Sequence, residues 1–361
     1  MGTRNFRRMD QFMASLGDKE ATYDAGPAAW TLGAAFQLHE IGEGLVEWAD
    51  TVVTDRETVH GTQHATFSEL VRKDARFSYT EPRVRPHSLA GWAALTGGVV
   101  TSTQDGAFAA YRHKITPIAA NLALPSIGIQ EKSAGEQKKY TGVCADRLNL
   151  KRAGALWSLD LSMIGSGTRA DAADAMPTKI LDPYLPWSKT KSWLESGANI
   201  SIAATPTQGT QDISAGTPKN LSLARMLDAE FWWTNDLQGE HGYTPSGALA
   251  KSDLPHGQGR MGHFRTTLLV ETSELANERA YFENQTKLAI EIEVDTGTII
   301  AAGGAMKYGF DLIIPSTRLS GSVRAVDTGF VTLTLEGDTF DDGINPPFIL
   351  YVYAAQSAYL V

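Results

Sequence analysis

The chain has 361 residues, 42% of them hydrophobic and 20% charged, which is typical of a folded chain with a sizeable core. The formal net charge of -9 excludes a general affinity for nucleic-acid phosphates, because such affinity requires clustered lysine and arginine. Cys144 is the one cysteine, which excludes an internal disulfide, and the lack of a run of about 18 apolar residues predicts no membrane anchor.

The first 27 residues are mostly polar and predict an N-terminal arm with up to one helical turn near Phe12. A strand is predicted from Leu45 to Val53. His60 and His64 stand four residues apart, a spacing that suits two metal ligands on a helix. Their neighbours favour strand or loop, where the two rings would lie about 13 Å apart, so we predict no metal site there.

A short helix is predicted from Pro86 to Thr96, with proline in its first turn and two glycines after its end. Leu89, Trp92 and Leu95 recur at spacings of three and predict its core face. Strands are predicted around this helix at residues 72–80, 106–115 and 122–131.

The clearest pattern is an antiparallel hairpin from Asp146 to Ile164, with Gly154 at its turn. Apolar residues alternate with polar ones along both strands, which is typical of a half-buried hairpin. Cys144, just before it, is interpreted as a packed residue rather than a nucleophile. The polar face of the first strand consists of Arg147, Asn149 and Lys151.

Residues 166–218 are rich in proline and glycine and contain Trp187 and Trp193. Such a segment is either a linker or a long loop that docks on something. The two tryptophans favour docking, because exposed indole surface is usually covered.

In the second half, strands are predicted at residues 220–235, 264–271, 288–295 and 308–314, and a helix at 273–284. A hairpin from Ser320 to Glu336 turns at Asp327-Thr328-Gly329. The loop at 239–263 is interpreted as a surface loop, because its histidines lack a fixed spacing. Those histidines are His241, His256 and His263.

The strand at 288–295 places apolar residues on one face and three carboxylates on the other. We predict that the carboxylate face is wet. The three are Glu291, Glu293 and Asp295.

Both halves contain a helix, several strands and a hairpin that turns at glycine, with Gly329 standing 175 positions after Gly154. This order favours an internal duplication over one domain with a long insertion. The predicted fold is mainly β with short helices (α+β), built of packed antiparallel sheets in two tandem copies. The predicted division is an arm at 1–27, a first domain at 28–165, a loop or linker at 166–218 and a second domain at 219–361.

No nucleophile elbow, phosphate-binding loop, dinucleotide fingerprint or zinc-ligand helix occurs in a suitable context. Asp338, Asp341 and Asp342 precede Gly343 but lack the closing glutamate of a calcium loop, so they predict a solvated turn. We therefore predict no catalytic residues, no cofactor and no metal site, and a role in assembly rather than in catalysis.

The run Leu124-Pro125-Ser126-Ile127-Gly128-Ile129, then Lys139-Tyr140-Thr141-Gly142-Val143-Cys144, and the hairpin RLNLKRAGALWSLDLSMIG resemble the tail tube proteins of long-tailed bacteriophages. The later stretch SIAATPTQGTQDISAGTPKNLSLARMLDAEFWWTND looks like the second half of the longer members. The chain departs from the pattern with Gly128 in place of a hydroxyl residue and with Val143 between Gly142 and Cys144.

The resemblance implies a structural virion protein made in the host cytoplasm, whose packed sheets join edge to edge in rings that stack into a hollow tail tube. Each ring would contain three chains with pseudo-sixfold symmetry, or six chains. The partners implied are further copies of this chain, a tape measure and a tail terminator, while double-stranded DNA passes through without specific binding.

Within such a tube, Glu291, Glu293 and Asp295 are the predicted acidic residues of the lumen, where negative charge repels DNA. Contacts between subunits or rings are predicted for the polar hairpin face, the arm and the tryptophan segment. The residues concerned are Phe12, Arg147, Asn149, Lys151, Trp187 and Trp193.

Two other functions fit the same composition. A virion surface adhesin would use exposed tryptophans such as Trp187 and Trp193 to stack on sugars. An enzyme would need a pocket with perturbed carboxylates, which a sequence does not display.

Overall fold

The computed structural model describes residues 9–17, 19–27, 37–38, 43–47, 50–55, 67–133, 136–173, 180–197, 200–214, 226–239, 250–251, 254–255, 257, 259–269, 280–327 and 330–360. The chain is mainly β and its strands pair antiparallel, as predicted. None of the described helices has the length and apolar character needed to cross a membrane.

One α-helix, α1 (Pro86–Gly97), one 3-10 turn (Trp187–Lys189) and a helical stretch at residues 280–283 accompany the strands. The strands are β1 (Met9–Ala14), β2 (Gln37–Leu38), β3 (Glu43–Glu47), β4 (Thr51–Asp55), β5 (Phe67–Arg72), β6 (Ala75–Glu81), β7 (Gly98–Gln104), β8 (Tyr111–Pro117), β9 (Ile127–Ser133), β10 (Glu136–Ala153), β11 (Leu156–Gly165), β12 (Arg169–Asp171), β13 (Thr190–Ser196), β14 (Ser201–Ile202), β15 (Ile213–Ser214), β16 (Met226–Thr234), β17 (Met261–Leu269), β18 (Leu288–Ile299), β19 (Lys307–Asp327), β20 (Phe330–Thr339) and β21 (Ile349–Ala354).

Most of the strands form three sheets that share two long strands, while β4 with β5 and β14 with β15 form separate two-stranded sheets. Sheet I has the order β2-β1-β9-β10-β12. Sheet II has the order β3-β6-β11-β10-β16-β17-β20-β19. Sheet III has the order β13-β18-β19-β21-β8-β7. Strand β10 therefore continues from sheet I into sheet II, and β19 continues from sheet II into sheet III.

The hairpin predicted from Asp146 to Ile164 is confirmed as β10 and β11. Gly154 at its turn has a φ of 63°, a conformation that glycine adopts without steric cost. The alternating apolar residues of β11 are all buried, which explains why this pattern was legible in the sequence. They are Trp157, Leu159, Leu161 and Met163.

The main core lies between sheets II and III and around α1. Trp157 of β11 meets Phe310 of β19 edge to face, with ring centroids 5.3 Å apart. The predicted helix is confirmed, and its core extends beyond the expected face, because every residue of α1 is buried. A helix apolar on all sides is typical of a fully enclosed position. Gly98 ends it in the left-handed conformation, with a φ of 90°.

The expected helical turn near Phe12 is wrong, because residues 9–14 form β1 and pair with β9. The segment after β1 packs against the rest of the protein and does not project as an arm. Leu16 is fully buried, and its carbonyl accepts a hydrogen bond from the Leu360 backbone N–H at 2.9 Å. The backbone hydrogen bonds of β1 to β9 and β2 explain why a polar segment is ordered here.

The described part of residues 166–218 contributes β13 to sheet III, where it pairs with β18 from Thr190–Val294 to Ser196–Leu288. This described part of the segment packs on its own chain, and the assignment of residues 166–218 as a loop or a linker stays a prediction.

The two predicted strands at 308–314 and 320–326 are one continuous strand, β19. Strand β16 pairs with β10, and β21 pairs with β8, so strands from both predicted domains lie in common sheets. The tandem duplication stays a prediction.

Several predictions fall outside the described residues. These concern His60, His64, His241, His256, the turn residues Thr328 and Gly329, and most of the helix expected at 273–284.

Candidate functional site

The most distinctive polar feature lies on the face of sheet III opposite the main core. Consecutive register partners place a polar row across five adjacent strands. Register partners share one face of a sheet, so these side chains are neighbours. The row is Lys191 of β13, Glu293 of β18, Asp311 of β19, Tyr351 of β21 and Lys114 of β8.

A hairpin at residues 200–214, built on β14 and β15, covers this face, and we call it the cover hairpin. Its apolar residues Ile200 and Ile213 are buried in a small cluster with Ile313 and Ile349 of sheet III. Next to this apolar cluster, Asp212 of the hairpin lies close to the acidic residues of β18 and β19. Together, Asp212, Glu291, Glu293 and Asp311 form the carboxyl cluster.

Glu291 and Glu293 are held by backbone N–H groups of the cover hairpin. The Glu291 Oε2 atom accepts bonds from Asp212 at 2.9 Å and from Ile213 at 3.1 Å. Glu293 accepts a bond from the Gly209 N–H, and Lys191 donates to the Gly209 carbonyl at 3.2 Å. Each bond ties the hairpin to sheet III.

The prediction of a wet face is therefore wrong for Glu291 and Glu293, whose exposed fractions are 0% and 2%. Alternation correctly separates the two faces of β18, but it carries no information on a cover supplied from another part of the chain. Asp295 is part-exposed and pairs with Lys307 at 2.8 Å. Its position in a lumen stays a prediction.

Asp212, Glu291 and Asp311 are all buried, and their ligand oxygens lie within 4.8 Å of one another. The Asp212 carboxylate accepts bonds from the Thr207 N–H at 3.2 Å. No described N–H or O–H group of the protein donates to Asp311. A hydrogen bond between the Asp212 and Asp311 carboxyls requires a proton on one of them.

Burial is the main cause of raised pKa values throughout the cluster, and repulsion between neighbouring carboxylates adds to it at Glu291, Glu293 and Asp311. The pKa of Glu291 rises to about 8 and that of Glu293 to about 7. Burial also raises the pKa of Asp311 and Asp212, and the Arg112 charge partly offsets the rise at Asp212. At neutral pH the cluster therefore retains protons or requires a compensating cation.

Asp212 and Asp311 are functional candidates that the sequence reasoning missed. Asp212 lies in the segment interpreted as a docking loop, and Asp311 lies inside the apolar run Phe310–Ile314. The one available signal was a lone carboxylate within an apolar run. Such a residue is expected to be buried, and a buried charge needs a partner. The identity of the partners depends on contacts between residues that are far apart in sequence.

The polar hairpin face makes its described contacts within sheet II. Arg147 lies over the Trp232 ring at 5.1 Å, and Asn149 donates to Glu230 at 2.7 Å. Lys151 pairs with Asp160 at 2.5 Å. Arg147 is exposed and Lys151 is part-exposed, so these two members of the face remain accessible to a neighbouring subunit.

Trp187 packs on Trp157 with ring centroids 5.3 Å apart, and Arg152 covers it at 4.9 Å. Trp193 is part-buried against the cluster of apolar residues under the cover hairpin. Phe12 lies in β1 in register with Glu131. Contacts of these residues between subunits stay predictions.

Sheet III ends at β7, which pairs with β8 and, among the described residues, with no other strand. All of its residues are exposed or part-exposed, including Val99 at 40%. One end of sheet II is β3, which likewise has a single partner, β6, in the described part of the chain. An unpaired edge offers a row of backbone donors and acceptors to another chain.

Comparison with known proteins gives no relative: no protein-family model matches the chain, and no curated protein sequence matches it.

Proposed function

We propose that this chain is a structural subunit that polymerises through its sheet edges into stacked rings, forming the hollow tail tube of a long-tailed bacteriophage. The observation that carries the proposal is the edge of β7 at the end of sheet III, which pairs with no described strand other than β8. The tail-tube resemblance of the β9 to β11 region supports it.

The path of hydrogen-bonded strands runs from β3 through β10 and β19 to β7. Pairing of the β7 edge with an edge of a neighbouring copy is a heterologous contact. Repetition of a heterologous contact closes a ring when the rotation between copies permits it. Backbone pairing supplies affinity in such contacts, and side chains at the edge set the register.

The net charge of -9 supports a conduit for DNA, because a negative lumen repels phosphate over about 8 Å at physiological salt. Asp295 is the predicted lumen residue that is still accessible in the folded chain. Three chains per ring is the arrangement that the proposed duplication favours, and six chains is the alternative.

The adhesin alternative depended on exposed tryptophans. Trp187 and Trp193 are both part-buried, and Arg152 and Trp157 contact the Trp187 ring. Packing within the chain therefore accounts for the residues that suggested sugar binding, and the tube is the better supported proposal.

The edge assignment is tested with the double variant Val99→Lys, Thr101→Lys. Lysine on an edge strand opposes pairing with another edge, because its charge must be desolvated or placed against a neighbour. We expect the wild-type chain to pellet as large assemblies on ultracentrifugation and the double variant to stay in the supernatant, with an unchanged circular dichroism spectrum.

Ile344→Lys is the matched control, because Ile344 is 87% exposed and lies in the loop between β20 and β21, outside the paired strands. It should pellet like the wild type. If the double variant pellets, the assignment of the contact to β7 is contradicted but the tube proposal is not. If the wild-type chain never assembles, the tube proposal itself is contradicted.

A further inference from the structure

The carboxyl cluster lacks enough positive charge within the described residues. Lys191 and Arg112 are the cations that lower pKa values in it, at Glu293 and Asp212 respectively. They face four carboxyls, three of which supply oxygens within 4.8 Å of one another. Close burial of several carboxylates is costly unless protons or a cation compensate for it.

Several carboxyl oxygens of the cluster receive no hydrogen bond from a described N–H or hydroxyl group, which makes them available as cation ligands. Glu291 directs Oε2 to two backbone N–H groups, while no described group bonds its Oε1 atom. The Asp311 oxygens likewise receive no bond from a described N–H or hydroxyl group, and their hydrogen-bond contact is with the neighbouring Asp212 carboxyl. Buried acceptors without donors are rare in folded proteins, because each costs the desolvation of its oxygen.

Tyr353 provides an independent observation. Its side chain is on the same face as Asp311, on the adjacent strand β21 and one diagonal step along the register. The residue is 2% exposed, and no described group bonds its hydroxyl. A buried phenol oxygen beside buried carboxylates completes an oxygen-lined site.

We propose that Asp212, Glu291 and Asp311 bind one hard divalent cation, with Ca²⁺ preferred over Mg²⁺. The three ligands come from the cover hairpin, β18 and β19, and the Tyr353 side chain lies on the same face of the adjacent strand β21. The proposal does not rest on tube formation, because every ligand belongs to one chain.

Oxygen ligands without nitrogen or sulfur select hard cations such as Ca²⁺ and Mg²⁺. Opposite oxygens around Ca²⁺ lie about 4.6–5.2 Å apart, given bonds of about 2.3–2.6 Å, whereas those around Mg²⁺ lie about 4.0–4.2 Å apart. The cluster oxygens all lie within 4.8 Å of one another, a limit that the oxygens around either ion satisfy. The preference for Ca²⁺ follows from hydration, because Mg²⁺ retains several waters, which a face closed by the cover hairpin disfavours.

Occupation of the site links the cover hairpin to sheet III, because Asp212 belongs to the hairpin and the other two ligands belong to the sheet. The cation replaces repulsion between carboxylates with attraction to a common centre. Binding therefore stabilises the fold, since an ion that binds only the folded state shifts the equilibrium towards it.

The test is isothermal titration calorimetry of the full chain at pH 7.5, after removal of metal with a chelator, using CaCl₂ and then MgCl₂. We expect one Ca²⁺ per chain, weaker binding of Mg²⁺, and a higher melting temperature with Ca²⁺ than with chelator. Asp311→Asn and Glu291→Gln should each weaken Ca²⁺ binding by more than the roughly 10-fold typical of losing an outer-sphere partner.

Asp341→Asn is the matched control, because Asp341 is exposed in the separate acidic turn and should leave binding unchanged. In chelator, Asp311→Asn should melt no lower than the wild type, which shows that the variant is folded. The proposal is overturned if the wild type binds no divalent cation at one per chain, or if both cluster variants bind Ca²⁺ as the wild type does.

Discussion

Glu291 shows how one residue connects the local pattern to the tertiary fold. Its position on β18 follows from strict alternation, and its burial follows from the cover hairpin, which supplies two N–H donors. Both bonds favour the charged carboxylate, yet burial dominates and raises its pKa to about 8. The protonated form is therefore favoured in the folded chain.

The raised pKa of Glu291 determines the direction in which the free energy of unfolding changes with pH. The folded pKa of Glu291 exceeds its ordinary value of 4.5, so its contribution to stability is complete below 4.5 and is lost as pH rises through about 8. Glu293, with a pKa of about 7, acts in the same direction. In chelator, the free energy of unfolding should fall between pH 6.5 and 8.5.

Urea denaturation at several pH values measures this slope, and Glu291→Gln should reduce it. The chosen window lies above the acid range in which His113 titrates, because burial lowers the His113 pKa to about 4 from 6.5. Glu136→Gln is the control, since Glu136 is exposed on β10. A free energy that rises with pH across this window would contradict the assignment.

At the scale of elements, the N-terminal segment is part of the core. Leu16 lies against α1 at Gly91, where an added Cβ atom would stand 2.5 Å from the Leu16 side chain. The absence of a side chain at Gly91 thus makes room for Leu16. Strand β1 adds backbone pairing to β9 on the same side of the chain.

Leu16→Ala should lower the free energy of unfolding by about 2–5 kcal/mol, because it removes buried methyl groups and leaves a cavity next to the helix. Chemical denaturation monitored by tryptophan fluorescence measures this change. The control is Leu181→Ala, since Leu181 is 76% exposed and its loss should change stability by less than about 0.5 kcal/mol. Equal effects of the two substitutions would show that the N-terminal segment is not part of the core.

Some strands and helices could be predicted from local sequence patterns, and others could not. The β10–β11 hairpin, α1 and β18 were predictable because alternation, a proline start and glycine turns are local signals. The joining of two predicted strands into β19 was not, since Pro315 between them favours a break rather than a continuing strand. The cover hairpin was missed because its order depends on contacts with β18, about 80 residues later.

At the scale of the whole molecule, three sheets share β10 and β19, so strands from distant parts of the chain form one connected framework. The framework ends at open edges such as β7. A protein with exposed edges either protects them or uses them for assembly. In the proposed tube these edges would join neighbouring copies, and the negative charge of the chain would keep DNA from binding the wall.

Electron microscopy of the purified wild-type chain tests this claim most directly. The account predicts rings or filaments with a central channel, and rotational averages with three chains or six chains per ring. A chain that remains a monomer or small compact oligomer at high concentration, or filaments without a channel, would contradict it.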